Sequence, residues 1–151
     1  LTLKEVIAGM LRFSNNFTAN QLLLTIGLQR YGPPATLEKG TRAYTEYLDK
    51  ELKIPLDQFL LVEGSGISRK NRLTPDAIWQ LLKAFAPHQD LLQGDNDVLL
   101  KTGTLSGVYT MAGYLPGTNP LFFVILLNQP QNTRDKILKI LLATDFSAGK
   151  F

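Results

Sequence analysis

The chain has 151 residues, 44% of them hydrophobic and 19% charged, with a formal net charge of +3. That length suits one domain with a real buried core, and the composition belongs to globular rather than disordered chains. Its basic residues are scattered without forming a stripe, which argues against a nucleic-acid partner, and the lack of cysteine excludes disulfides, thiol catalysis and Cys-type zinc sites while leaving the redox compartment open.

Residues 3–13 carry apolar side chains at Leu3, Val6, Ile7, Met10 and Leu11, the spacing of a helix. Ser14-Asn15-Asn16 interrupts that pattern. A second helix follows, with Thr18 as its expected N-cap and an apolar run over residues 22–28, and Gly32-Pro33-Pro34 stops it. Residues 36–52 predict a third, more polar helix with Tyr44, Tyr47 and Leu48 on one face, closed by Pro55. Residues 59–62 read as a short buried strand leading into the glycine-rich turn of residues 63–68. Thr74-Pro75-Asp76 is a strong helix start, with Thr as N-cap, Pro in the first turn and an acid behind it. That helix is expected to run to about Phe85 with Ile78, Leu81 and Leu82 on its core face. The single histidine, His88, follows Ala86-Pro87 and reads as a last-turn or loop residue, not as a ligand or general base. No metal or cofactor site is expected.

Beyond the polar loop of residues 93–97 come three strand signals, at residues 98–104, 108–115 and 121–128. Their connections, Leu105-Ser106-Gly107 and Pro116-Gly117-Thr118-Asn119, are short enough to imply antiparallel neighbours. Asn132 or Thr133 then caps a last helix that buries Ile137, Leu138, Leu141 and Leu142. The predicted fold is therefore α/β: an antiparallel sheet, three main strands of it present, flanked by helices. The third strand is apolar on both faces, as in the middle of a sheet. An exposed edge of that composition would invite aggregation, so strands outside this chain are expected to complete the sheet. The stretch 121–127 is too short to span a membrane, and no signal peptide is visible. The chain opens inside an amphipathic helix, so it is expected to have been cut from something longer, and a missing leader says nothing about export.

Val98-Leu99-Leu100-Lys101-Thr102-Gly103-Thr104 reads as an apolar strand that ends on an ammonium, a hydroxyl and a backbone without a side chain. That order suits an edge that grips a carboxylate while an acyl group approaches its amides. Taken singly, Lys101-Thr102-Gly103 is equally a solvated strand end, and Ser14-Asn15-Asn16 an ordinary cap and turn. Together and in this order they resemble the Lys-Thr-Gly and Ser-x-Asn pair of the penicillin-interacting serine enzymes. A third passage, Glu63-Gly64-Ser65-Gly66-Ile67-Ser68-Arg69-Lys70-Asn71-Arg72-Leu73-Thr74-Pro75, resembles a stretch of the class C penicillin-binding D-alanyl-D-alanine carboxypeptidases. Glu63 stands where an aspartate is more usual there, and the passage reads as mainly architectural. With Tyr109 and Tyr114 on the next strand, the resemblance spans essentially the whole chain. It covers only the C-terminal part of that family's transpeptidase-like catalytic domain, so residues 1–151 are expected to be one portion of it.

The resemblance implies acyl transfer on peptidoglycan stem peptides, binding of β-lactams, and a periplasmic or cell-envelope location. It assigns Ser14, Asn16 and Lys101 to catalysis and Thr102, Gly103 and Thr104 to substrate binding. Lys101 would offer positive potential to the substrate's terminal carboxylate, and the hydroxyls of Thr102 and Thr104 would donate hydrogen bonds to it. Gly103 would let the substrate backbone lie close, and the Thr104 amide would supply one oxyanion donor. Ser14 would relay a proton to the leaving nitrogen, and Asn16 would orient the substrate amide. The nucleophilic Ser-x-x-Lys lies upstream in that family. Its one literal match here, Ser147-Ala148-Gly149-Lys150, follows the last helix and contains glycine, so it reads as coincidence. The expectation is that the missing N-terminal portion of the same domain supplies the nucleophile and that the chain alone is inactive. A related β-lactamase or esterase, and a non-catalytic module that binds peptidoglycan or a partner, stay open as alternatives.

Overall fold

The computed structural model describes residues 1–95, 98–117 and 121–144. Helices α1 (Leu3–Phe13), α2 (Asn16–Tyr31) and α3 (Leu37–Lys50) come first, followed by the two-residue strands β1 (Phe59–Leu60) and β2 (Arg72–Leu73) and helix α4 (Pro75–Phe85). Strands β3 (Gln93–Asp95), β4 (Val98–Leu105), β5 (Val108–Tyr114) and β6 (Phe122–Asn128) form an antiparallel sheet in that order, and α5 (Arg134–Ala143) closes the described chain. The predicted α/β architecture is present, with one strand more in the main sheet than expected. Gln93, Gly94 and Asp95, read from their polarity as loop, pair with Leu100, Leu99 and Val98.

Local chemistry accounts for most boundaries. Thr2 and Glu5 cap α1 reciprocally, each side chain accepting from the other's backbone N–H. Thr36 and Thr74 cap α3 and α4. The second helix departs from expectation: Asn15, not Thr18, is its N-cap, and its Oδ1 accepts from the Thr18 N–H at 2.9 Å. Asn16 therefore stands in the first turn. Thr133 occupies the N-cap position of α5 without a side-chain bond to the helix backbone, its Oγ1 accepting from Gln129 instead, while Asn132 Oδ1 accepts from the Arg134 N–H. The strand expected over residues 59–62 is confined to Phe59–Leu60.

Two apolar clusters hold the molecule together. Leu48, Ile54, Phe59 and Ala77 form one within the helical part; Val98, Met111, Leu115, Phe123 and Ile125 form the other on one face of the sheet, beneath Ile137, Leu138 and Leu141 of α5. Leu142, expected inside, and Tyr47, expected on the face of Leu48, are each nearly half exposed. Helix α4 covers the opposite sheet face, where the Tyr114 hydroxyl donates to the Leu82 carbonyl at 2.7 Å and Trp79 meets Phe122 edge-on. Helices α2 and α3 cross at Gly27 and Gly40. A Cβ on Gly27 would lie 2.8 Å from the Lys39 carbonyl carbon and closer still to the Gly40 nitrogen.

Candidate active site

The corner between α1 and α2 is one wall of the site. Ser14 ends α1 in the left-handed region, at φ 49° and ψ 47°, and the Asn15 N–H bonds back to the Met10 carbonyl at 3.0 Å. This is the cap geometry that glycine usually supplies, because a side chain at positive φ costs roughly 1 kcal/mol. Occupied by serine, it carries a hydroxyl out of the corner. Asn16, at the start of α2, opens into the same cleft and makes no side-chain hydrogen bond among the described residues.

The opposite wall is the second half of β4. The two-residue turn Ser106-Gly107 makes Leu105 and Val108 a hydrogen-bonded pair, so Gly103–Thr110 and Lys101–Ala112 are hydrogen-bonded pairs as well. The N–H and C=O groups of Thr102 and Thr104 therefore point away from β5. Strand β3 covers only Val98–Leu100 of β4, so among the described residues those outward groups have no strand partner. They form an open rail along a cleft of about 770 Å³ between the helical part and the sheet. Gly103 earns its place through a neighbour, since a Cβ there would sit 2.5 Å from Thr110 Oγ1.

Lys101 joins the walls. Its Nζ donates to Ser14 Oγ at 2.5 Å and to the Thr102 carbonyl at 2.8 Å, across a sequence separation of 87 residues for the serine. Burial disfavours the ammonium and the charge of Arg134 repels it, so its pKa lies below the ordinary lysine value. Because the lysine has only donors, Ser14 Oγ accepts from it, and the serine proton is left free to be donated onward. The structure thus brings Ser14, Asn16, Lys101, Thr102, Gly103 and Thr104 to one cleft. Ser147-Ala148-Gly149-Lys150 lies outside the described residues.

A clasped loop forms the rim. Glu63 accepts from Ser65 N–H and Oγ through Oε2, and from Gly66 N–H, Ser68 N–H and Asn71 Nδ2 through Oε1. Partial burial pushes its carboxyl up, yet the bonds from Ser65, Ser68 and Asn71 outweigh this and hold it below the ordinary range. Asn20 of α2 accepts from the Gly64 N–H at 2.7 Å, pinning the loop to the wall that carries Asn16. The architectural reading of this passage agrees with these contacts.

Two arginines make contacts that the sequence reading does not assign. Arg69 donates to the Ser106 carbonyl at 2.7 Å, tying the loop to the β4–β5 turn. Arg134 Nη1 donates to the Gly103 carbonyl and to Thr104 Oγ1, both at 2.9 Å. One signal for Arg134 was available: a cation in the first turn of a helix opposes the macrodipole. His88 sits exposed in a 3₁₀ turn, away from this cleft.

An antiparallel sheet between helices, with a serine–lysine contact over a strand edge left open among the described residues, is the arrangement that the resemblance to the penicillin-interacting serine enzymes implies, and comparison with known proteins gives the family. The profile of the D-Ala-D-Ala carboxypeptidase 3 (S13) family matches residues 1–95, and the chain belongs to that family. Its relatives include the D-alanyl-D-alanine carboxypeptidase DacB of Haemophilus influenzae, 28% identical over 137 residues that cover 75% of this chain and 28% of the relative. A D-alanyl-D-alanine carboxypeptidase of an Actinomadura species is 30% identical over 142 residues, covering 76% of this chain and 26% of the relative. Penicillin binding protein 4 of H. influenzae, solved with a β-lactam, shares the fold with a TM-score of 0.76 at 24% identity. That match covers 92% of this chain and 40% of the other. The chain thus spans little more than a quarter of the length of the curated relatives it matches.

Proposed function

We propose that this chain is the substrate-gripping part of a serine-type D-Ala-D-Ala carboxypeptidase/endopeptidase of the bacterial envelope or periplasm, acting on peptidoglycan stem peptides and binding β-lactams. The observation that carries the reading is the Lys101–Ser14 contact standing over the edge of β4 that has no strand partner among the described residues. The names of its carboxypeptidase relatives, and a solved Bdellovibrio endopeptidase of the same fold described as acylated by penicillin G (17% identical, TM-score 0.62), support the chemistry. A serine from a portion of the domain outside residues 1–151 attacks the carbonyl carbon of the penultimate D-alanine. The peptide C–N bond breaks, D-alanine departs carrying the proton relayed by Ser14, and water hydrolyses the acyl-serine ester.

Each residue of the cleft then has a task. The outward Thr104 N–H meets the oxyanion; removal of one such donor typically costs about 10²–10³ in rate. Lys101 supplies positive potential for the terminal carboxylate, and the hydroxyls of Thr102 and Thr104 donate to it. Gly103 keeps the rail low, and the free amide of Asn16 orients the substrate amide. The extended substrate pairs with the open rail as an added strand would.

The test is intact mass of the full-length protein after exposure to a β-lactam. A covalent adduct on a serine outside residues 1–151 is the expected result. No adduct on folded protein would favour a non-catalytic peptidoglycan-binding relative, and rapid hydrolysis of the β-lactam a β-lactamase. Turnover of a D-Ala-D-Ala peptide by residues 1–151 alone, abolished by Ser147→Ala, would overturn the assignment of the nucleophile.

A further inference from the structure

Arg134 occupies a position that costs the fold something. Its side chain is only 15% exposed, and it stands in the first turn of α5, where a positive charge opposes the helix dipole. Among the described residues its buried Nε has no hydrogen-bond partner, with the Asp135 carboxylate at 3.9 Å. Such a penalty calls for an explanation outside packing. The guanidinium lies over the join between β4 and β5, with Nη1 at 2.9 Å from the Gly103 carbonyl, 2.9 Å from Thr104 Oγ1 and 3.4 Å from the Thr110 carbonyl.

The direction of the Thr104 bond decides what this does. A guanidinium only donates, so Thr104 Oγ1 accepts from Arg134 and its own O–H is released to donate elsewhere. Thr104 is exposed, on the strand edge that lines the cleft. A hydroxyl polarised by a cation and free to donate outward is a selective partner for an anion. The two backbone carbonyls hold the guanidinium in register with that hydroxyl.

Building on the acyl-transfer reading above, we propose that Arg134 is a specificity-determining positioning residue that acts through the Thr104 hydroxyl to select ligands bearing a free carboxylate. It supplies the second positive charge at the edge, on the face of β4 opposite Lys101. Arg134 touches no reacting atom; its effect passes through Thr104.

The experiment compares acylation rates of the full-length protein by penicillin G and by its methyl ester, which lacks the carboxylate. Arg134→Gln should slow acylation by penicillin G about tenfold to a hundredfold and leave the rate with the ester within about twofold. Arg134→Lys should restore part of the loss, since one ammonium replaces the charge but not the fork. Thr104→Val, which leaves the arginine anchored on both carbonyls, should reproduce the selective loss, and the double variant should add little to it. Thr104→Val also keeps the test decisive if Arg134→Gln does not fold. Equal slowing with both ligands would make Arg134 a support for the strand and overturn this proposal alone. No acylation of the wild-type protein by penicillin G would remove the proposed function itself, and this inference with it.

Discussion

Replacing Glu63 by Gln tests whether one carboxylate organises the rim of the cleft. Glu63 accepts five hydrogen bonds, two at Oε2 and three at Oε1. A glutamine has a single acceptor oxygen, so one set of donors must face an NH₂ group. Turning the oxygen toward Gly66, Ser68 and Asn71 keeps three bonds in neutral form and strips the Ser65 N–H and Oγ of their partner. Hydrogen bonds to a charged group contribute about 1.5–3 kcal/mol each when well shielded. The loop is half open to water and the Ser65 hydroxyl can rotate, so the expected loss is about 2 kcal/mol for the whole change. In a protein of this size that corresponds to about 4–8 °C in melting temperature. The sign with pH is also set. The folded carboxyl titrates below its unfolded value of about 4.3. Its stabilisation is therefore complete above that value and fades as pH falls through the lower folded one. Thermal unfolding of wild type and Glu63→Gln from pH 3 to 7 should give curves that converge toward the acid end. Equal melting temperatures at pH 7, or a gap that persists unchanged at pH 3, would refute the account.

Two further outcomes follow from packing. Burial pushes the Tyr114 hydroxyl up to about 12, so this residue's stabilisation is intact below pH 10 and is lost as pH rises from 10 through 12, by at most about 3 kcal/mol. Tyr114→Phe should cost about 1 kcal/mol at neutral pH, through the bond to Leu82, and flatten that alkaline loss; parallel denaturant midpoints for the two proteins across pH 9–12 would contradict this. Gly27→Ala should destabilise by up to about 2 kcal/mol, overpacking of about 1–3 kcal/mol against Lys39 and Gly40 outweighing a helix-propensity gain of about 1 kcal/mol. Gly9→Ala, where a Cβ meets nothing within 4 Å, should stabilise by up to about 1 kcal/mol, and a loss there would count against the steric argument.

The parts of the fold legible in the sequence are those written in side chains. Thr74-Pro75-Asp76 begins α4 as read, because cap, proline and acid all act within one turn. Strands β4 to β6 were visible from apolar runs and their short connections. Strand β3 was not, because Gln93-Gly94-Asp95 pairs through its backbone and carries no apolar signal. The cap of α2 was misplaced because Asn15 and Thr18 both offer an acceptor, and only the left-handed turn at Ser14 selects between them. Periodicity marks a helix face but not its width, which is why Tyr47 and Leu142 came out exposed. In the cleft, Ser14 and Lys101 were legible through local motifs. Arg134 was not, since its partners Gly103 and Thr104 lie thirty-one and thirty residues away, and the one local signal, a cation in the first turn of a helix, does not name them.

The cleft falls between two separate apolar clusters, one inside the helical part and one on the sheet, and neither includes Ser14 or Lys101. Each cluster is close-packed and resists deformation, and α4 bridges them at one end, where Tyr114 bonds to Leu82 and Trp79 meets Phe122, whereas the cleft at Ser14 and Lys101 has no such filling. The spacing of serine and lysine is therefore a gauge of how the two halves are seated. A slip of an ångström along that boundary would open the contact while every secondary-structure element stayed intact. Activity should accordingly fade on warming before helicity does. A ligand that spans the cleft would work as a strut, raising the temperature at which that contact is lost.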